Sequence, residues 1–219
     1  MRAKNDKKKI AIICPYPQGI VAGQRFRYEQ YLNFLEQNGY EISVFPFLDE
    51  QTNKTLYNNS KKILKLFGVL KALLKRFFLL FSISKYDYIF IYREATLIGP
   101  PFLEFFAAKV LKKKVIIDFD DAIWKQQTAI KNKFIARLRH SKNKTKNLCT
   151  WAYKVSCGNH FLCNYAKQFN KNTIYIPTTI DTQKLHNQIK THKNKSKIVI
   201  GWTGSFSTMI YLDMVYDVV

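Results

Sequence analysis

The stretch Lys9-Ile-Ala-Ile-Ile-Cys-Pro-Tyr-Pro-Gln-Gly-Ile-Val-Ala-Gly-Gln-Arg-Phe-Arg27 decides the fold. Lys9 to Cys14 is a short apolar run ended by Pro15, the pattern of a strand buried on both faces in a parallel sheet. Pro15 to Gly23 bears glycine and proline and reads as a loop. Arg25 to Gln37 then reads as a helix, with Phe26, Tyr31, Phe34 and Leu35 near one face and Gly39 as its stop.

The same rhythm continues along the chain. Glu41 to Leu48 reads as a second strand, Asp49 to Ser60 as a polar loop, and Lys61 to Ser82 as a long helix, apolar around most of its circumference and basic on the rest. Tyr86 to Tyr92 is a third strand. Pro100 and Pro101 can open a helix from Phe102 to Leu111. Lys114 to Asp118 is a fourth strand, Lys131 to Trp151 a basic helical stretch, and Tyr153 to Cys157 a fifth strand. A helix from His160 to Phe169 precedes a sixth strand, Thr173 to Ile176, ended by Pro177. This order predicts an α/β protein with a Rossmann-like, doubly wound parallel sheet and helices on both faces.

Ligands of such sheets sit at the carboxyl ends of the strands. The loops of interest are therefore Pro15 to Gly23, Arg93 to Gly99, Phe119 to Trp124, and Gly158 with Asn159. The domain is expected over 8–180 and a linker over 181–197, where Gln183 to Lys197 is polar and rich in Lys and Asn. The pattern then restarts over 198–219. Lys197 to Gly201 reads as a strand, Trp202 to Ser207 as a glycine-bearing turn, and Thr208 to Val219 as a helix. One strand and one helix cannot bury themselves, so this looks like an incomplete second domain.

Composition narrows the function classes. The 219 residues are 47% hydrophobic and 15% aromatic, which supports a sizeable core and excludes global disorder. Lys plus Arg number 36 against 15 Asp plus Glu, a formal net charge of +21. Such a surface attracts polyanions: nucleic acid, anionic lipid or phosphate-bearing substrates. No helix-turn-helix, zinc module or RNA-binding aromatic motif accompanies the charge, so nucleic acid is not an expected partner. Cys14, Cys149, Cys157 and Cys163 form no framework of close pairs, which fits a reduced, cytoplasmic compartment. Cys157, His160 and Cys163 could share a helical face as metal ligands, but no fourth ligand is near and small buried cysteines are common.

The apolar stretch after Met1 to Lys9 is too short for a signal peptide. The apolar region Ile63 to Ile83 is interrupted by Lys65, Lys71, Lys75 and Arg76 and does not read as a spanning helix. It could lie on an anionic membrane surface with Phe67, Leu70, Phe77, Phe78 and Phe81 dipping in, or pack on the sheet with its lysines outward. The first reading makes the chain a peripheral protein of the inner membrane face.

Four groups of residues carry candidate chemistry. Gly23 precedes a helix; without a Cβ it lets backbone approach a ligand phosphate, favoured by the helix N-terminus and by Arg25 and Arg27, or it simply makes a tight turn. Asp118-Phe119-Asp120-Asp121 sets three carboxylates at a strand end, where they need compensation by cations or protons. They could bind metal, orient an acceptor hydroxyl or stabilise positive charge on a sugar, or cap a helix through Asp120 or Asp121. Arg93 and Glu94 could bind an acceptor or pair with each other. Gly158 and Asn159 could line the site or only make a turn.

The segment Pro15 to Arg27, followed by Leu35-Glu-Gln-Asn-Gly-Tyr-Glu-Ile-Ser-Val-Phe45, resembles the opening of family-4 glycosyltransferases, with Tyr40 where histidine is usual. Ile176-Pro-Thr-Thr-Ile-Asp181 is similar to the block before that family's domain linker. Ile198-Val-Ile-Gly-Trp-Thr-Gly-Ser205 is similar to the first strand and turn of its donor domain. Tyr92 to Ala95, Asp118 to Trp124 and Ser156 to Asn159 look like blocks of one subgroup. The resemblance implies the two-domain GT-B architecture and retaining transfer of a sugar from a nucleotide-sugar donor to a sugar or lipid-linked acceptor in cell-envelope polysaccharide or glycolipid synthesis. It implies no bound metal and no cofactor. It also implies that the loop of Gly23 and Arg25 touches the donor diphosphate or the acceptor and that Gly204 and Ser205 face the donor; Asp120 and Asp121 as catalytic candidates, and Arg93, Glu94, Gly158 and Asn159 as candidate donor- or acceptor-binding residues, follow from their place at the strand ends. The family's donor-binding carboxylates lie further along than Val219, so this chain is expected to be inactive alone. The alternative is a basic membrane-surface or phosphate-binding module without catalysis.

Overall fold

A parallel sheet satisfies the backbone of each run through its neighbours, and helices on its faces bury the side chains of the inner runs. In the computed structural model, β1 (Lys8–Cys14), β2 (Tyr40–Pro46), β3 (Tyr88–Tyr92), β4 (Lys114–Phe119), β5 (Lys154–Cys157) and β6 (Thr173–Tyr175) form one all-parallel sheet in the order β2-β1-β3-β4-β5-β6. The structure describes residues 7–56, 62–125 and 143–189, together with 201, 202, 204, 209 and 211–216.

Helices α1 (Ala22–Arg27) and α2 (Leu32–Gln37) follow β1. Helices α3 (Glu50–Leu56) and α4 (Lys62–Ser82) join β2 to β3. Helix α5 (Phe102–Phe105), continued by a π turn over Phe106–Val110, follows β3. Helices α6 (Lys144–Trp151) and α7 (His160–Lys167) precede and follow β5. Side chains of successive strand residues alternate between faces. One face sends Ile89, Ile91, Val115, Ile117 and Val155 into the main core, against Leu79 and Leu80 of α4, Leu103 of α5, Leu148 of α6 and Leu162 of α7. The opposite face carries Ile12, Cys14 and Tyr92 against Tyr28, which lies between α1 and α2. The fold is the expected α/β, Rossmann-like doubly wound sheet.

Several local expectations are corrected. The single helix from Arg25 to Gln37 is instead α1, a 3-10 turn over Glu29–Tyr31, and α2. Tyr28 leaves helical geometry at φ −143 because its buried ring packs against Phe90 and Tyr92, with centroids 5.9 and 6.0 Å apart. The loop expected from Asp49 to Ser60 contains α3, capped by Asp49, whose Oδ1 accepts the Thr52 amide at 2.9 Å. Of the helix expected over Lys131 to Trp151, residues 131–142 lie outside the described residues. So does the strand expected from Lys197, up to Gly201. The helix expected over Thr208 to Val219 is replaced, where described, by turns with i→i+3 bonds, such as Leu212 to Met209 and Val215 to Leu212. Tyr211, Met214 and Tyr216 are exposed there, so these side chains bury no apolar face that would hold an α-helix.

The strand order locates the site. The chain runs outward from β1 to β2 and returns to β3 on the other side of β1, so the order reverses between β1 and β3. Ligand crevices form at the carboxyl ends beside such a reversal. Buried Arg76 of α4 braces this end of the sheet. It donates to the carbonyls of Cys14 and Phe45 at 2.9 Å and of Ala95 at 2.7 Å. Burial pulls its pKa down to about 10, so the guanidinium stays charged at neutral pH.

Candidate functional site

Register builds the floor of the site. Tyr92 lies opposite Asp118, and Asp118 opposite Ser156, so three adjacent strands place these polar residues in one row on the face that α1 covers. Arg27 of α1 closes over the row. Its Nε donates to Asp118 Oδ2 at 3.0 Å, its Nη2 to Oδ1, and its Nη1 to the carbonyl of Ile176, just past β6. The Ser156 hydroxyl also donates to Asp118. Both charged side chains are almost wholly buried. Burial works against the Arg27 charge, and the hydrogen bonds and charge of Asp118 more than offset it, holding its pKa above the ordinary value. Asp118 is thus a structural anchor between α1, β4 and the exit of β6.

The rim stands above this floor. Asp120 accepts from the Tyr92 hydroxyl at 2.9 Å and from Arg93 Nε and Nη2 at 3.0 and 2.9 Å. Arg93 Nη2 also donates to Asp121. Arg93 takes a left-handed backbone, φ 61, which is sparsely populated by residues with a side chain. Such strain costs about 1–3 kcal/mol and persists only where the surroundings enforce it. Here its amide donates to the Asp118 carbonyl at 2.6 Å. Burial pushes the Tyr92 phenol up, well above its ordinary pKa, so it remains a donor to Asp120.

Two glycines close on the same carboxylate. A Cβ on Gly23 would overlap the Tyr92 hydroxyl and come within 2.8 Å of Asp120 Oδ2. One on Gly158 would lie 3.2 Å from Asp120 Cα and 3.3 Å from its Cβ. The loop leading to Gly23 is clasped by buried Gln24. Its Oε1 accepts the Tyr16 amide at 3.0 Å and its Nε2 donates to the Tyr16 carbonyl at 2.9 Å.

The candidates therefore divide. Gly23, Arg93, Asp120, Asp121 and Gly158 come together at one rim. Arg25 does not: residues two apart on a helix point roughly 200° apart, and Arg27 takes the inward position. Arg25 lies over the Phe26 ring, 5.7 Å from its centroid. It borders a separate recess of about 270 Å³, with Phe26, Glu29, Gln30, Asp181 and His186. Glu94 does not pair with Arg93; it takes Lys144 at 2.8 Å, and that buried lysine also donates to the Thr96 carbonyl at 2.7 Å. Asn159 caps α7, its Oδ1 accepting the Leu162 amide at 2.9 Å. Gly204 is exposed, and Ser205 lies outside the described residues. Cys157 and Cys163 are buried in the core while His160 turns outward against the Tyr175 ring, 4.4 Å between centroids. Among the described residues no three His, Cys, Asp or Glu side chains are grouped as metal ligands would be.

Sequence reading missed Tyr92, Arg27 and Ser156 as partners of the acidic cluster. Strand alternation carried a signal, since each polar residue lies on the face opposite the neighbouring apolar ones, but pairing them needs the register. The rim as a whole is suited to a hydroxylated ligand. Arg93 between Asp120 and Asp121 leaves one net negative charge, and Arg93 is already committed to both carboxylates. The Asp120 side chain is 15% exposed and held by Tyr92 and Arg93, whereas that of Asp121 is 65% exposed and, among the described residues, held by Arg93 alone. Helix α1 has only six residues and no side-chain cap, so a phosphate at its N-terminus has little to hold it. No family model matches the chain, and no curated protein matches it.

Proposed function

We propose that this chain is the acceptor-side domain of a nucleotide-sugar-dependent glycosyltransferase of GT-B architecture, acting in cell-envelope polysaccharide or glycolipid synthesis. The observation that carries the reading is the rim at the carboxyl ends of β3, β4 and β5, where two glycines close on Asp120 and Arg93 holds Asp120 and Asp121 side by side. An acceptor hydroxyl docks against Asp121, which accepts its hydrogen bond and orients the oxygen toward the anomeric carbon of the donor. Tyr92 and Arg93 fix Asp120, and Asp120 in turn fixes Arg93, so the array is organised before the acceptor arrives. The cation that paired carboxylates require is Arg93 itself, so the reading calls for no metal. The resemblance of the Ile198 to Ser205 segment to a donor-domain opening supports a nucleotide-sugar as the donor. An acceptor of the envelope would place the work at the inner face of the cytoplasmic membrane.

Saturation-transfer NMR of the 219-residue chain against a panel of envelope saccharides and nucleotide-sugars tests the reading. A saccharide signal that Asp121→Ala removes supports it. A signal from nucleotide-sugars only, or from no member of the panel, contradicts it.

A further inference from the structure

Helix α4 is held in the fold by an unusual edge. Its buried side consists of Ala72, Arg76, Leu79 and Leu80. Arg76 is tied to three carbonyls, those of Cys14 and Phe45 near the carboxyl ends of β1 and β2 and that of Ala95 past β3, and Gly68 is pressed on Thr52, whose methyl would lie 2.5 Å from any Cβ placed there. These contacts fix the rotation of the helix about its axis. Apart from Lys71 and Lys75, the side chains of α4 described as exposed are all apolar. Ile63, Leu66, Phe67, Phe78 and Phe81 are 64–72% exposed, with Leu64, Leu70, Leu73, Leu74 and Phe77 beside them. Together these ten side chains present on the order of 1,000 Å², well beyond the few hundred Å² at which an exposed apolar patch marks an interaction site. The 21 residues of α4 extend about 31 Å at 1.5 Å per residue.

Charge indicates what covers this stripe. The helix contains no acidic residue. Lys71 and Lys75, one turn apart, line one flank of it and share a single carboxylate, Asp49, at 3.2 and 3.5 Å. That flank keeps a net positive charge in a chain of formal net charge +21. A second copy of the helix would bring the same lysines to the seam with no carboxylate of its own to meet them. Among the described residues no helix is long and apolar enough to cross a membrane. An apolar stripe with a cationic flank, fixed outward on a non-spanning helix, is the arrangement of an element that lies in a bilayer interface.

We propose that the outer face of α4 docks on an anionic lipid bilayer, with its leucine and phenylalanine side chains in the acyl boundary and Lys71 and Lys75 at the headgroups. Helix α4 begins after the carboxyl end of β2 and ends before the amino end of β3, so it runs back along the strands. A bilayer against α4 therefore lies along the strand direction, on the side of the sheet opposite the row of Tyr92, Asp118 and Ser156. The choice of a lipid-linked acceptor for the rim of Asp120 and Asp121 rests on the glycosyltransferase reading; the docking itself does not.

Co-sedimentation of the 219-residue chain with vesicles, without any sugar substrate, tests the docking. Vesicles rich in phosphatidylglycerol should bind it about tenfold or more tightly than pure phosphatidylcholine vesicles, a preference that high salt erases. Phe67→Ser/Phe78→Ser/Phe81→Ser changes only exposed side chains, so its circular dichroism should match the wild type while its vesicle affinity falls about tenfold or more. Triple-variant binding equal to wild type would show a general polybasic attraction and overturn the proposal. A wild-type chain that ignores vesicles of both compositions overturns it as well, whether the stripe then proves to be covered by a second copy or by an acidic protein.

Discussion

Replacing Gly23 by alanine sets two effects of opposite sign against each other. Gly23 lies within α1 at a φ open to any residue, and helix propensity alone would make alanine stabilising by about 1 kcal/mol. The added Cβ, however, would overlap the hydroxyl of Tyr92 and lie 2.8 Å from Asp120 Oδ2 and 3.5 Å from Arg93 Nη2. None of these can yield freely. The Tyr92 ring is fully buried, and Asp120 is held by Tyr92 and Arg93 together. Overpacking at such a place costs about 1–3 kcal/mol, and losing the Tyr92 bond to a charged carboxylate costs about as much. Relaxation of α1 makes these alternatives rather than a sum, so the net expectation is a loss of up to about 2 kcal/mol, centred on about 1 kcal/mol. For a domain of this size that central value corresponds to a fall in Tm of about 2–4 °C. Calorimetry of Gly23→Ala beside wild type measures it. An unchanged or raised Tm would refute the reasoning, because it would mean that backbone propensity outweighs the contact with Asp120 and that the rim is looser than its geometry implies.

Arg27→Met should strand the Asp118 carboxylate in the core and lower stability by about 3–5 kcal/mol in urea unfolding; the double variant Arg27→Met/Asp118→Asn should recover much of that loss, and a double variant no better than the single one would count against the pair as the anchor of α1. Glu104 is fully buried, its Oε1 accepting the Ala95 amide at 2.9 Å while Oε2 has no hydrogen-bond partner among the described residues. Burial raises its pKa. A carboxyl with a raised pKa in the folded state binds more protons there than in the unfolded chain, so its contribution is favourable below the unfolded value of about 4.3 and is lost as pH rises toward the folded one. Glu104→Gln should therefore match wild type near pH 4 and exceed it in Tm at pH 7; equal Tm values across that range would show that Glu104 ionises freely in the fold.

The fold was legible wherever a strand is a continuous apolar run. Ile10 to Cys14, Tyr88 to Tyr92 and Lys114 to Phe119 announce themselves because a parallel sheet buries both of their faces. What eluded the sequence was decided by contacts distant in the chain. Tyr28 interrupts a helix that local periodicity would continue, because its ring is claimed by Phe90 and Tyr92. Helix α3 consists of polar residues that read as a loop, and forms behind the cap at Asp49.

The candidate site divides in the same way. The acidic run and the glycines could be picked out locally. Which of Arg25 and Arg27 faces the sheet could not, since the two differ only in which side of α1 meets Asp118. Likewise, Glu94 follows Arg93 directly, yet the left-handed turn at Arg93 sends the two side chains to different partners, Asp120 and Lys144. The alignment of Tyr92, Asp118 and Ser156 depends wholly on register between three strands.

The most direct measurement is a titration of the isotopically labelled chain with envelope saccharides, following backbone amide resonances. The account predicts shifts centred on Gly23, Arg93, Asp120, Asp121 and Gly158, and their disappearance in Asp121→Ala. Shifts confined to the recess between Arg25 and His186, or none with any saccharide, would contradict it.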